Sequence, residues 1–190
     1  GGIQMNRQVK MLSYSALMCA LIIVSTLWFK FGIPGTDVLV TTQVFFVLLC
    51  GQLLPARYCL YTMGTYLFIG LLGVPVFSAA AGPAVLATPS FGYLLGFPFA
   101  AAAVSIACGK LKQIKGGRLI ASLIGVVVNY VIALLYIAAL KGLYLGTPVP
   151  IGTLLFAYCF AFLPLDIVKA VLAALLAMRL EKPLHLNELA

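Results

Sequence analysis

The chain is a succession of apolar runs separated by short breaks. The runs cover residues 11–29, 40–54, 58–72, 93–108, 119–140 and 153–178. A helix crosses the hydrocarbon layer with about 20 predominantly apolar residues, so the pattern predicts six transmembrane helices in one integral membrane domain over residues 1–190. The second and third runs are short for a full crossing and are expected to lie against protein. Trp28, near the end of the first run, suits an interfacial anchor. Gly and Pro stop the first helix in the connector 30–37, and Pro148 and Pro150 break the chain before the sixth run.

One break differs from the others. Residues 73–92 carry no charge, yet Gly73, Pro75, Gly82, Pro83, Pro89 and Gly92 interrupt them. Irregular backbone leaves peptide groups unpaired and is tolerated at membrane depth only where it packs on protein or lines a cavity. The segment is expected to be a lid over a binding site.

Composition fixes the solvent. Of 190 residues, 64% are hydrophobic and 8% charged, against about 25% charged in soluble domains. Lipid must therefore surround the fold. The net charge of +8 does not point to nucleic acid, because the cations lie between apolar runs rather than on a basic face. With six crossings both termini share one side. Arg7, Lys10, Arg57, Lys110, Lys112, Lys115, Arg118, Arg179 and Lys182 fall there, and only Lys30 and Lys141 on the other. The bias of Lys and Arg to cytoplasmic loops makes the termini cytoplasmic and the 73–92 lid extracellular.

Arg7 and Lys10 before an apolar run imitate a signal peptide. The run is long, lacks a clear small-residue cleavage site and is followed by further spans, so it reads as a retained first helix. Gly1, Gly2, Ile3 and Gln4, ahead of Met5, read as a cloning remnant. Cys19, Cys50, Cys59, Cys108 and Cys159 all sit inside apolar runs without a Cys-x-x-Cys pair. They read as small buried hydrophobes, with no disulfide framework or metal site.

Candidate chemistry concentrates in the sixth run, Phe162-Leu163-Pro164-Leu165-Asp166-Ile167-Val168-Lys169. An ionised side chain at the bilayer centre costs about 2.5–3.5 kcal/mol on insertion scales. Spacing of three puts Asp166 and Lys169 on one helical face, where they can neutralise each other or flank a polar ligand. Pro164 would loosen the backbone just before them. Thr41, Thr42, Gln43 and Asn129 are the other polar groups within spans, fit for a ligand or for interhelical hydrogen bonds. Tyr93, Phe91 and Phe77 could stack on a ring. Ala16-x-x-x-Ala20 and Gly92-x-x-x-Gly96 are small-residue pairs that let helices approach closely.

There is no phosphate loop, no Gly-x-Ser-x-Gly turn and no His-Glu-x-x-His, and His185 lies in the tail. An enzyme is not expected, nor a cofactor, and active transport would need a partner or an ion gradient.

Three blocks together resemble the BioY family: Gly70-Leu71-Leu72-Gly73-Val74-Pro75-Val76-Phe77 with Gly82-Pro83; Thr88-Pro89-Ser90-Phe91-Gly92-Tyr93-Leu94-Leu95-Gly96-Phe97; and the Asp166-x-x-Lys169 helix. The resemblance covers nearly the whole chain. It implies a multi-pass protein of the bacterial plasma membrane with the six-helix fold of S components, the substrate-capturing subunits of energy-coupling factor (ECF) transporters, here for biotin. It also implies that Ala16 and Ala20 dock a transmembrane coupling subunit, and that two ATPase subunits spend the ATP. Where the family has a richer glycine run, the lid reads Ser78-Ala79-Ala80-Ala81-Gly82.

Biotin suits the residues. Asp166 can accept from ureido N–H groups, and Lys169 can neutralise a carboxylate or Asp166 itself. Asn129, Gln43 and Thr42 suit the remaining polar atoms, while Tyr93, Phe91, Phe77 and the lid around Gly82 supply apolar cover. An S component for another vitamin, or an autonomous ion-coupled carrier, would carry the same intramembrane charge pair.

Overall fold

The computed structural model describes residues 7–28, 30–32 and 39–181, with the backbone alone at 31 and 39. Residues 1–4, read from the sequence as a cloning remnant, the end of the first run at Phe29, the connector residues Pro34 and Gly35, and the tail residues Lys182 and His185 lie outside the described residues.

The first helix, α1, spans Arg7–Trp28. A small antiparallel hairpin follows, β1 (Lys30–Gly32) paired with β2 (Leu39–Thr41) in the register Phe31 to Val40. Then come α2 (Gln43–Leu53), α3 (Ala56–Leu71), a 3-10 turn at Gly82–Ala87, α4 (Ser90–Lys110) and α5 (Gly117–Ala139). A π-helical turn, Leu140–Tyr144, extends α5. The last region is α6 (Ile151–Leu155), a π-helical turn at Phe156–Phe160 and α7 (Leu163–Leu180).

Among the described residues, four helical stretches are long and apolar enough to cross a membrane: Arg7–Trp28, Ser90–Lys110, Gly117–Tyr144 and Ile151–Leu180. At a rise of about 1.5 Å per residue, the 11 residues of α2 reach about half the hydrocarbon thickness. Val47 through Leu53 of α2 are buried without a break, so it is enclosed on every side. Its neighbours are chiefly α4 and α7.

The sequence pattern is corrected in three places. Val40 and Thr41, expected to open the second helix, belong to β2, where β-branched side chains are at ease. The helix after the lid starts at Ser90, so Phe91 and Gly92 are helical. The sixth run is interrupted at Ala161 and Phe162. Pro164 has no N–H for the carbonyl four residues back, and the π turn ends there.

The most extensive helix packing among the described residues joins α4 to α5. It follows from the Gly92-x-x-x-Gly96 pair: a Cβ on Gly92 would lie 2.9 Å from the Ala133 carbonyl oxygen, and one on Gly96 2.2 Å from Asn129 Oδ1. Small residues on one helix thus admit the backbone of the other.

Candidate functional site

The N-terminal ends of α2, α4 and α7 converge on a narrow cavity of about 40 Å³. Its lining comes from β2 (Thr41), α2 (Gln43, Val44), the lid (Ser78), α4 (Ser90, Tyr93, Leu94, Phe97) and the start of α7 (Phe162, Asp166, Lys169). The α4 residues follow spacings of three and four, as do Phe162, Asp166 and Lys169, so each helix presents one face.

Asp166 is the centre of the site. It lies in the first turn of α7, where the helix dipole favours a negative group, and it is 5% exposed. Lys169 Nζ donates to Oδ1 at 2.8 Å, and the Tyr130 hydroxyl donates to Oδ2 at 2.5 Å. Each oxygen keeps a lone pair, and the ammonium keeps two further N–H groups. The ring of Tyr93 lies edge-on to Tyr130 at 6.1 Å and tilted against Phe162 at 6.3 Å. Its hydroxyl donates to the Tyr158 carbonyl, tying α4 to the π turn before α7.

The opposite wall is held by a hydrogen-bond chain. Thr41 Oγ1 donates to Gln43 Oε1 at 3.0 Å, Gln43 Nε2 donates to the Tyr66 hydroxyl at 2.5 Å, and that hydroxyl donates to the Val76 carbonyl at 3.1 Å. Gln43 therefore connects the cavity to the lid. Phe77 packs edge-on to Tyr66 at 5.3 Å and covers Gly70, whose added Cβ would lie 2.1 Å from the ring. The 3-10 turn of the lid is pinned by the Tyr136 hydroxyl, which donates to the Leu86 carbonyl.

Of the residues singled out from the sequence, Asp166, Lys169, Thr41, Gln43 and Tyr93 meet in this cavity. The others do not line it. Thr42 Oγ1 donates to the Ser25 carbonyl at 3.3 Å, fastening α2 to α1. Phe91 stacks edge-on to Tyr136 at 5.4 Å. Phe77 anchors the lid, and Gly82 supplies a left-handed turn in it at φ 66°. Asn129 is buried against Gly96 with its Oδ1 unpartnered. Ala16 and Ala20 lie exposed on one face of α1.

Ser90 and Tyr130 were missed. The Ser90 hydroxyl is buried, lines the cavity and has no partner. Its spacing of three from Tyr93 is visible in the sequence, but it falls inside the 73–92 stretch that Gly and Pro mark as irregular. Tyr130 follows Asn129 in an apolar helix, and nothing local marks its hydroxyl as the partner of a carboxylate 36 residues on.

Known proteins resemble this chain over nearly its full length. A crystal structure of the S-component for biotin from an ECF-type ABC transporter superposes with a TM-score of 0.82 at 29% identity, covering 95% of each chain. The biotin transporter BioY of Lactococcus lactis subsp. cremoris is 32% identical over 180 residues, 93% of each chain. That of Thermotoga maritima is 30% identical over 175 residues, 92% of this chain and 97% of its own. The BioY family profile runs from residue 4 to residue 185, through α1, the lid and the Asp166 helix alike, and the chain belongs to the BioY family.

Proposed function

We propose that this chain captures biotin as the S component of an ECF-type ABC uptake transporter, not as an enzyme. The observation that carries the reading is the Asp166–Lys169 pair, buried in an apolar bundle and facing a cavity that also presents Gln43, Thr41 and the unpartnered Ser90 hydroxyl. Intramembrane charges of this kind mark ligand paths. Asp166 accepts from the ureido N–H groups, Lys169 and Gln43 serve the carbonyl or the carboxylate, and Tyr93 covers the thioether ring. Asn129 lies one layer behind, packed against Gly96 of α4 with its Oδ1 open. Thr42, Phe91, Phe77 and Gly82 shape the walls and the lid. The likeness to biotin transporters over nearly the whole chain supports the choice of vitamin.

The cavity of about 40 Å³ holds little more than water, so a bicyclic ligand enters when the lid moves away from α4. The lid opens to the outside and the termini are cytoplasmic, with α2 and α3 completing six crossings in the bacterial plasma membrane. The chain carries no cofactor. Ala16 and Ala20 form the small-residue face on which the transmembrane coupling subunit docks, and two ATPase subunits supply the energy.

Equilibrium binding of labelled biotin to the purified chain in detergent tests the reading, with thiamine and riboflavin as competitors. Tight binding displaced by biotin alone is expected. Displacement by another vitamin with biotin inert would reassign the ligand, and uptake by this chain alone that collapses with the ion gradient would make it an autonomous carrier.

A further inference from the structure

A second, larger cavity of about 890 Å³ opens at the other end of the bundle. It lies among the C-terminal ends of α2, α4 and α7 and the N-terminal ends of α1 and α5. Its walls are apolar: Met11, Leu53, Leu54, Leu111, Val171 and Leu175. The polar groups at its floor are already used by one another. Gln52 Nε2 donates to the Arg118 carbonyl at 2.8 Å and to Ser122 Oγ at 2.7 Å, while its Oε1 accepts from Arg118 Nη1 at 3.2 Å and from Cys108 Sγ at 3.4 Å. Ser105 Oγ donates to the Leu54 carbonyl at 2.8 Å. These side chains leave the deep part of the cavity with few positions for a sugar or a base, whereas a hydrocarbon chain would find an apolar wall.

The rim is different. Lys112 and Arg118 stand on it beside Arg7, and among the described residues the lining holds a single acid, Glu181, which Arg118 already pairs at 2.6 Å. Helix ends do not change that sign, because N-termini and C-termini converge here and their partial charges oppose. Lys112 is exposed in the connector after α4. Arg118 spends two of its five N–H donors on Gln52 and Glu181.

We infer that this cavity holds an anionic phospholipid, its phosphate against Lys112 and Arg118 and one acyl chain along the wall formed by Val171 and Leu175. Basic pockets between membrane helices near the headgroup layer bind such lipids. The inference is independent of the vitamin site, which lies at the opposite ends of α2, α4 and α7.

Native mass spectrometry of the full chain, released from detergent with either dioleoyl phosphatidylglycerol or dioleoyl phosphatidylcholine, tests it. The expected result is preferential retention of phosphatidylglycerol, reduced about fivefold by Lys112→Ala and further by Lys112→Glu. Leu175→Trp, which fills the wall from a half-exposed position, should also reduce retention, and millimolar inorganic phosphate should not displace the lipid. Equal retention of the two lipids would overturn the inference. So would retention untouched by Lys112→Glu or Leu175→Trp, since the lipid would then be held elsewhere. Displacement by phosphate would make this a site for the free anion. Biotin binding unchanged in each variant verifies that the chain is folded.

Discussion

The Tyr130 hydroxyl donates to Asp166 Oδ2 across 2.5 Å, from the middle of α5 to the first turn of α7. It fixes which way the carboxylate faces. With Lys169 on Oδ1, the remaining lone pairs are directed rather than free to rotate, so under the proposed biotin site the ligand would meet a preorganised acceptor.

Replacing Tyr130 with Phe keeps the ring and removes the donor. A hydrogen bond to a charged group contributes about 1.5–3 kcal/mol, so the affinity for biotin should fall roughly tenfold to a hundredfold. Calorimetric titration checks this. An unchanged dissociation constant would mean that the carboxylate does not need this partner to receive the ligand.

The charge pair itself should behave non-additively. Lys169→Ala leaves Asp166 buried and short of its cation, which costs about 3–5 kcal/mol for a buried pair broken on one side. Adding Asp166→Asn removes the orphaned charge. The double variant should therefore melt above Lys169→Ala in detergent, while all three variants lose biotin binding. A double variant whose loss of stability equals the sum of the two single losses would show that the two side chains are not energetically coupled.

The sequence revealed the helical membrane fold because burial in lipid is written in long apolar runs, and it revealed Asp166 and Lys169 because charges stand out there. It was less informative where the signal is tertiary. Tyr130 is an unremarkable aromatic until α5 is laid beside α7. Phe77, Phe91 and Thr42 were assigned to the ligand because aromatic and hydroxyl side chains suit it. Their hydrogen-bonding and ring partners, Tyr66, Tyr136 and Ser25, come from elements distant in the chain. The β hairpin was hidden because a three-residue strand such as Leu39–Thr41 looks like the start of the apolar helix that follows it.

Gly96→Ala should destabilise the bundle. The new Cβ would lie 2.2 Å from Asn129 Oδ1 and 3.1 Å from the Asn129 carbonyl oxygen. The side-chain contact can relieve itself only by turning Asn129 away, and the backbone contact needs α4 and α5 to separate. Overpacking of this kind costs about 1–3 kcal/mol, read as a lowered melting temperature in detergent. Gly64→Ala, with nothing within 4 Å of the added atom, is the matched control and should leave the melting temperature unchanged.

Ala16→Leu should separate capture from transport. Ala16 and Ala20 face outward from α1, away from Asp166, so biotin binding by the isolated chain should not change. A bulky side chain would hold a partner helix off the small-residue face, so co-purification with the coupling subunit, and uptake by the assembled transporter, should be lost. Retained co-purification would place the docking face elsewhere on the bundle.

Tyr66→Phe addresses the lid. The Tyr66 hydroxyl touches both Gln43, a cavity wall, and the Val76 carbonyl at the base of the lid. Removing it leaves the Gln43 amide short of an acceptor and the Val76 carbonyl short of a donor, while the ring still supports Phe77. A buried group left unsatisfied costs about 1–3 kcal/mol, and the cost falls on the closed lid, because an open one exposes both groups to water. Dissociation of biotin should therefore quicken roughly fivefold to a hundredfold with little change in association, as stopped-flow fluorescence would resolve. If dissociation stays unchanged in Tyr66→Phe but quickens in Phe77→Ala, the packing of Phe77 on Gly70 is what holds the lid shut, and the hydrogen-bond chain serves only to position Gln43.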